Sequence, residues 1–136
     1  MAATGPEERE QLLRGVDFFS GCTDRQLHDI AALAEERSLP AGAELCRQGE
    51  AESEVFLVVS GQAEVTVDGK PVGTTHVGEI VGELAMLGTG RRAATLSVTE
   101  PMSVLVLDPR EIDSVLSADP SSAQRLSRHG DQGGAG

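Results

Sequence analysis

The chain has 136 residues, enough for one domain with a real core and too few for a second of ordinary size. Eleven Lys and Arg against 22 Asp and Glu give 11 − 22 = −11, which disfavours an extended nucleic-acid or anionic-membrane surface, since both need clustered positive charge. With no Trp, no Tyr and three Phe, the chain also lacks aromatic platforms on which single-stranded bases stack.

Met1 to Gln11 is small and charged rather than a leader with an apolar centre. No apolar run approaches the roughly 18 residues that span a bilayer. Cys22 and Cys46 read as buried or half-buried thiols in a reducing, cytoplasmic setting. Residues 1–6 read as disordered, and Glu7 to Leu13 as a short charged helix. Thr23-Asp24-Arg25-Gln26 is a capping box, followed by Leu27, Ile30, Ala31, Leu33 and Ala34 at helical spacing. That helix is expected to end near Glu36 or Arg37, with Phe18 and Phe19 anchoring its approach.

From Ser38 to Asp108 the period changes to two, punctuated by glycine. Strands are expected over Glu44 to Arg47, Val55 to Ser60, Gln62 to Val67, Val72 to Val77, Ala94 to Thr99 and Met102 to Leu107. Asp68-Gly69 is a hairpin signal, and the glycines at 42, 49, 61 and 69 read as turn residues. Seven or eight short strands joined by tight turns imply a closed or double-layered antiparallel architecture. Asp108-Pro109-Arg110-Glu111 starts a helix whose buried face is Ile112, Val115 and Leu116. Asp119-Pro120 starts a short, weakly docked one, and the chain dissolves into a Gly-rich tail from Gly130.

The stretch from Gly78 to Thr95 is poor core material. A helical turn beginning after Gly82-Glu83 presents free backbone N–H groups, and an arginine nine residues after the acid adds a fixed positive fork. Together they suit one phosphate, with Glu83 available to sugar hydroxyls. The candidate ligand is therefore a small sugar phosphate.

This arrangement resembles the cyclic nucleotide-binding domain family of catabolite activator proteins and protein kinase A regulatory subunits. The residues that carry the likeness are Pro40-Ala41-Gly42-Ala43-Glu44-Leu45, Gly49-Glu50, Val55 to Gly61, and above all Gly82-Glu83-Leu84-Ala85 followed by Arg92-Ala93-Ala94-Thr95. The likeness covers roughly Phe18 to Leu116. It implies a mainly β fold: an antiparallel β-roll (a double-stranded jelly roll of about eight strands) with an N-terminal helix, a short phosphate-binding helix and one or two C-terminal helices. Residues 1–17 would be an N-terminal extension, 18–129 the binding domain and 130–136 a disordered tail.

The resemblance implies that Glu83 accepts the ribose 2′-hydroxyl and Arg92 pairs with the cyclic phosphate. Backbone N–H groups near Leu84, Ala85 and Ala93 would complete the cradle, Ala94 would continue the motif, and Gly82 would allow close approach of the backbone. In the family, threonine directly after the phosphate arginine helps guanine binding. Ala93 stands there, so cyclic AMP is expected ahead of cyclic GMP. Arg91 is expected to be exposed. The competing structural readings make Glu83 a helix N-terminal acid and pair Arg92 with Glu83 or Glu79 in an empty pocket.

The expected function is that of a stand-alone, non-enzymatic sensor without cofactor or metal, signalling to an effector protein that the sequence does not identify. Direct nucleic-acid binding and membrane association are not expected. One alternative is a ligand-free interaction domain of the same fold, acting in docking or oligomerisation. Another is a cupin-type metalloenzyme, but of the histidines only His76 lies in the strand region.

Overall fold

The computed structural model describes residues 4–82 and 90–118. Helix α1 (Pro6–Arg14) has proline in its first turn with Glu7 and Glu8, and Arg14 in its last turn, a charge order that suits the helix dipole. After a 3-10 turn (Asp17–Phe19), α2 (Asp24–Leu33) starts at the expected capping box. The Gln26 N–H donates to Thr23 Oγ1 at 3.1 Å and the Thr23 N–H to Gln26 Oε1 at 2.9 Å. Arg9 of α1 caps the other end of α2, its Nη1 donating to the carbonyls of Ala31 (3.3 Å) and Ala34 (2.8 Å).

Helix α2 ends at Leu33, earlier than the sequence suggests, and Glu35–Leu39 forms strand β1. Tertiary pairing overrides the helical preference of Glu-Glu-Arg. Strand β1 runs antiparallel to Met102–Val106, and the Glu36 carboxylate accepts from Ser103 Oγ at 2.7 Å and from the Thr4 N–H at 2.7 Å. Those two bonds, the Ser103 hydroxyl first, hold the Glu36 carboxyl below the usual glutamate range. They also correct the expectation of disorder over residues 4–6, since Thr4 is buried and Pro6 opens α1, while residues 1–3 lie outside the described residues.

The remaining strands are β2 (Glu44–Cys46), β3 (Val55–Val67), β4 (Lys70–Thr74), β5 (Ile80–Val81) and β6 (Thr95–Leu107). They form an antiparallel β-roll ordered β1-β6-β3-β4, with β2 also on β6 and β5 also on β3. Six strands lie among the described residues, and two pairs of expected strands are each fused into one. Val55 to Ser60 and Gln62 to Val67 are one strand, and so are the segments on either side of Glu100-Pro101.

Gly61 is the reason these two strands can bend together, and it is more than a turn residue. It sits inside β3 at φ +80°, where the register to β6 shifts repeatedly. A Cβ there would overlap the Pro101 carbonyl and the Met102 backbone across the sheet. Asp68 (φ 53°) and Gly69 (φ 78°) close the β3–β4 hairpin in left-handed conformations.

The first half of β3 is buried on both faces, which is why its sequence reads as a continuous apolar run. Val55 and Leu57 join Leu105 and Leu107 in a core beneath the helices, with Leu13, Phe19, Leu27, Ile30 and Ile112. The alternate residues Phe56 and Val58 face the roll interior with Val104, Val106, Leu96 and Val98. Helix α3 (Pro109–Ser117) follows β6 directly. The Arg110 N–H donates to Asp108 Oδ1 at 2.8 Å, and Ile112 is buried under α2.

Candidate functional site

The site begins with a backbone ladder between two chain segments that show no alternation. The Gly49 N–H donates to the Arg92 carbonyl (2.9 Å), the Arg92 N–H to the Glu50 carbonyl (2.7 Å) and the Glu52 N–H to the Gly90 carbonyl (3.3 Å). Ala51 and Arg91 form an antiparallel bridge. Alternation along this short ladder sends consecutive side chains to opposite sides. Arg91 is exposed, as its sequence position suggests, and its Nη1 donates to the Gly49 carbonyl at 3.0 Å. Arg92 turns inward and is 7% exposed.

Three groups receive the Arg92 guanidinium. Nη2 donates to the Glu54 carbonyl at 2.9 Å. The guanidinium carbon lies 5.1 Å from the centroid of the Phe56 ring, within cation–π range, and Arg37 lies 5.8 Å from the same ring. The Glu52 carboxylate, 6% exposed, is 4.0 Å from Nη1. That separation allows a Coulombic pairing but exceeds a hydrogen bond. Both sides are left incomplete: Nη1 of Arg92 and Oε2 of Glu52 are buried with no hydrogen-bond partner among the described residues.

Gly82 closes over this cation. Its φ is +83°, and an added Cβ would land on Arg92 Nη1 and lie 2.9 Å from the Glu54 carbonyl oxygen. No side chain fits between the chain at 82 and the guanidinium, as close approach of backbone to a site requires. Gly82 and Arg92, ten positions apart in sequence, therefore share one spot. Ala93 is exposed, and Ala94 is half-buried against the roll interior, its carbonyl accepting from Cys46 Sγ at 3.7 Å. Burial pushes the Cys46 thiol pKa up, and the nearby Arg92 charge partly opposes this. Glu83, Leu84 and Ala85, along with the expected short phosphate-binding helix, lie outside the described residues.

Of the two acids offered as structural partners of Arg92, Glu83 lies outside the described residues, and Glu79 Oε1 accepts from the His76 N–H at 2.9 Å, closing a turn. Among the described residues, the acid within 4.0 Å of Arg92 is Glu52. Sequence reasoning missed Glu52, Phe56 and the Glu54 carbonyl. One local signal existed, the acids Glu50, Glu52 and Glu54 at every second position directly before an apolar strand. Among the described residues, no group of three His, Cys, Asp or Glu is placed to hold a metal, and no helix is long and apolar enough to cross a membrane.

Fold and site together define a β-roll module with a guanidinium held beneath a glycine. The chain belongs to the cyclic nucleotide-binding domain family, whose sequence model matches residues 36–119. A cyclic nucleotide-gated potassium channel from Rhizobium etli is 30% identical over 116 residues, which cover 85% of this chain and 32% of that protein. The chain spans about a third of the length of the two channel relatives it matches. Among solved structures, a cyclic nucleotide-binding-like protein from Brucella abortus superposes with a TM-score of 0.77 at 24% identity, over 81% of this chain and 98% of that one. The regulatory domain of Toxoplasma gondii protein kinase A, solved with cAMP, superposes with a TM-score of 0.71 at 20% identity, over 93% of this chain and 50% of that one. At these identities the two structures share the fold.

Proposed function

We propose that this chain is a non-enzymatic sensor module that binds a cyclic nucleotide, cyclic AMP in preference to cyclic GMP, and reports occupancy to an effector protein by repacking its helices. One observation carries the reading: a guanidinium 7% exposed, whose Nη1 has no hydrogen-bond partner among the described residues, beneath a glycine that admits no side chain. A buried donor without an acceptor costs free energy, and a phosphate oxygen would supply that acceptor with a charge-assisted bond. The preference for cyclic AMP rests on Ala93, which offers no hydroxyl beside the phosphate arginine. The likeness to a regulatory domain solved with cAMP supports it.

Helix repacking is supported by connectivity. Strand β6 starts at Thr95, three residues after Arg92, and ends at Leu107, where α3 begins and buries Ile112 against α2. A ligand shifts this arrangement only to the extent that it binds one packing better than another.

Calorimetric titration with cyclic AMP and cyclic GMP tests the proposal. A charge-assisted bond contributes roughly 1.5–3 kcal/mol, so Arg92→Ala is expected to weaken binding about ten- to a hundredfold while the far-ultraviolet circular dichroism is retained. Equal affinity in the variant would sink the phosphate assignment. A second reading, a ligand-free interaction domain, is favoured by the contacts Arg92 already has with Glu54, Phe56 and Glu52. Amide chemical shifts unmoved by millimolar nucleotide would decide for it.

A further inference from the structure

We infer that Glu52 is a built-in counter-ion which occupies Arg92 in the unliganded protein and which an incoming phosphate has to displace. The inference rests on the proposed cyclic nucleotide site and concerns what sets its affinity. Glu52 is as deeply buried as the arginine, 6% against 7% side-chain exposure, and among the described residues its carboxylate is the acid within 4.0 Å of Nη1. A carboxylate so placed is costly unless its charge is met. Arg92 meets it only in part, because 4.0 Å is too long for a hydrogen bond and Glu52 Oε2 has no partner among the described residues.

The backbone is held up to this point. The Glu52 N–H is bonded to the Gly90 carbonyl, and the Ala51–Arg91 bridge and two Arg92–Gly49/Glu50 bonds hold the ladder on its N-terminal side. The side chain can yield, having three rotatable bonds and, among the described residues, no hydrogen bond shown to its carboxylate and an ion pair no closer than 4.0 Å. A phosphate oxygen at Nη1 makes the bond that the carboxylate does not, and the two anions repel at that distance. Glu52 therefore stabilises the empty protein and opposes the ligand. A purely structural acid would do only the first.

Glu52→Gln keeps the size of the side chain and removes its charge. By calorimetry, the variant is expected to bind cyclic AMP about tenfold more tightly than the unaltered protein, while its unliganded melting temperature falls. Glu52→Ala should move both readouts in the same directions, which protects the test if the glutamine variant packs badly. Glu44→Gln, an acid paired with Arg47 on the surface, controls for the change in net charge and should leave affinity unaltered. Affinity equal to or weaker than that of the unaltered protein in both Glu52 variants overturns the counter-ion while leaving the nucleotide site standing. Absence of binding in all the proteins overturns the site itself, and the counter-ion with it.

Discussion

Substituting Gly82 by alanine probes the contact between the chain at 82 and the guanidinium. Two costs add. At φ +83° an L-residue is strained by about 1–2 kcal/mol. The new methyl would also displace Arg92 Nη1 and press on the Glu54 carbonyl oxygen at 2.9 Å. Moving the guanidinium weakens its 2.9 Å bond to that same carbonyl, a charged hydrogen bond contributing roughly 1.5–3 kcal/mol. Alanine recovers about 0.4–1 kcal/mol by restricting the unfolded chain. The net expectation is a loss of about 3 kcal/mol, and for 136 residues a melting temperature lower by about 10 °C. Urea unfolding of Gly82→Ala, Arg92→Ala and the double variant separates the two costs. If the methyl meets the guanidinium, the part of the cost that comes from displacing it should vanish once Arg92 is gone, a coupling of about 1.5–3 kcal/mol. Strictly additive effects, or a melting temperature within about 2 °C of the unaltered protein, would refute the contact.

Gly61→Ala should cost more than Gly82→Ala. The atoms its Cβ would meet are the Pro101 carbonyl and the Met102 backbone, which cannot rotate away, so about 3–5 kcal/mol is expected from overpacking and left-handed strain together. A urea midpoint at or above that of Gly82→Ala would overturn the ranking. Glu36 supplies a pH dependence. Its folded-state pKa is lowered, first by the Ser103 hydroxyl, so its stabilisation is present above the ordinary glutamate value and is lost as pH falls through the folded value. Glu36→Gln should then be less stable at neutral pH and show a flatter acid limb in thermal melts. Superimposable limbs would mean that the Ser103 and Thr4 bonds give the ionised form no advantage.

Much of the fold was legible because local rules and tertiary structure agree along most of the chain. The Thr23 capping box, the Asp108-Pro109 helix start and the Asp68-Gly69 hairpin each form the expected local structure. Periodicity marked β3 and β6 but not their continuity: Gly61 and Pro101 look like stops in sequence, whereas in the roll they are one corner shared by two paired strands. Strand β1 was hidden for a related reason. Glu35-Glu36-Arg37 is good helical material, and only Ser103 and the β6 edge, more than sixty positions away, make it a strand. Of the candidate site, the motif singled out Gly82 and Arg92, which lie against each other in the fold. Glu52 and the Glu54 carbonyl were not, since the ladder joining 49–52 to 90–92 has no apolar signature.

That ladder matters most to the electrostatics of the site. For a chain of net charge −11 to take up an anion, local geometry has to outweigh the global field. Screening makes this feasible, because at physiological ionic strength exposed charges farther than about 8 Å are largely damped while a buried pair is not. Among the described residues the nearby charges are gathered about the Phe56 ring and the ladder: Arg92 inside, Glu52 against it, Arg37 across the ring, and Arg91 on the outer face. Arg37 is largely spoken for by the Glu54 carboxylate at 3.3 Å, and Arg91 by the Gly49 carbonyl. On the proposed reading, anion affinity among the described residues turns on the Arg92 guanidinium and the Glu52 carboxylate beside it, and the backbone pairing of 49–52 with 90–92 sets the distance between them.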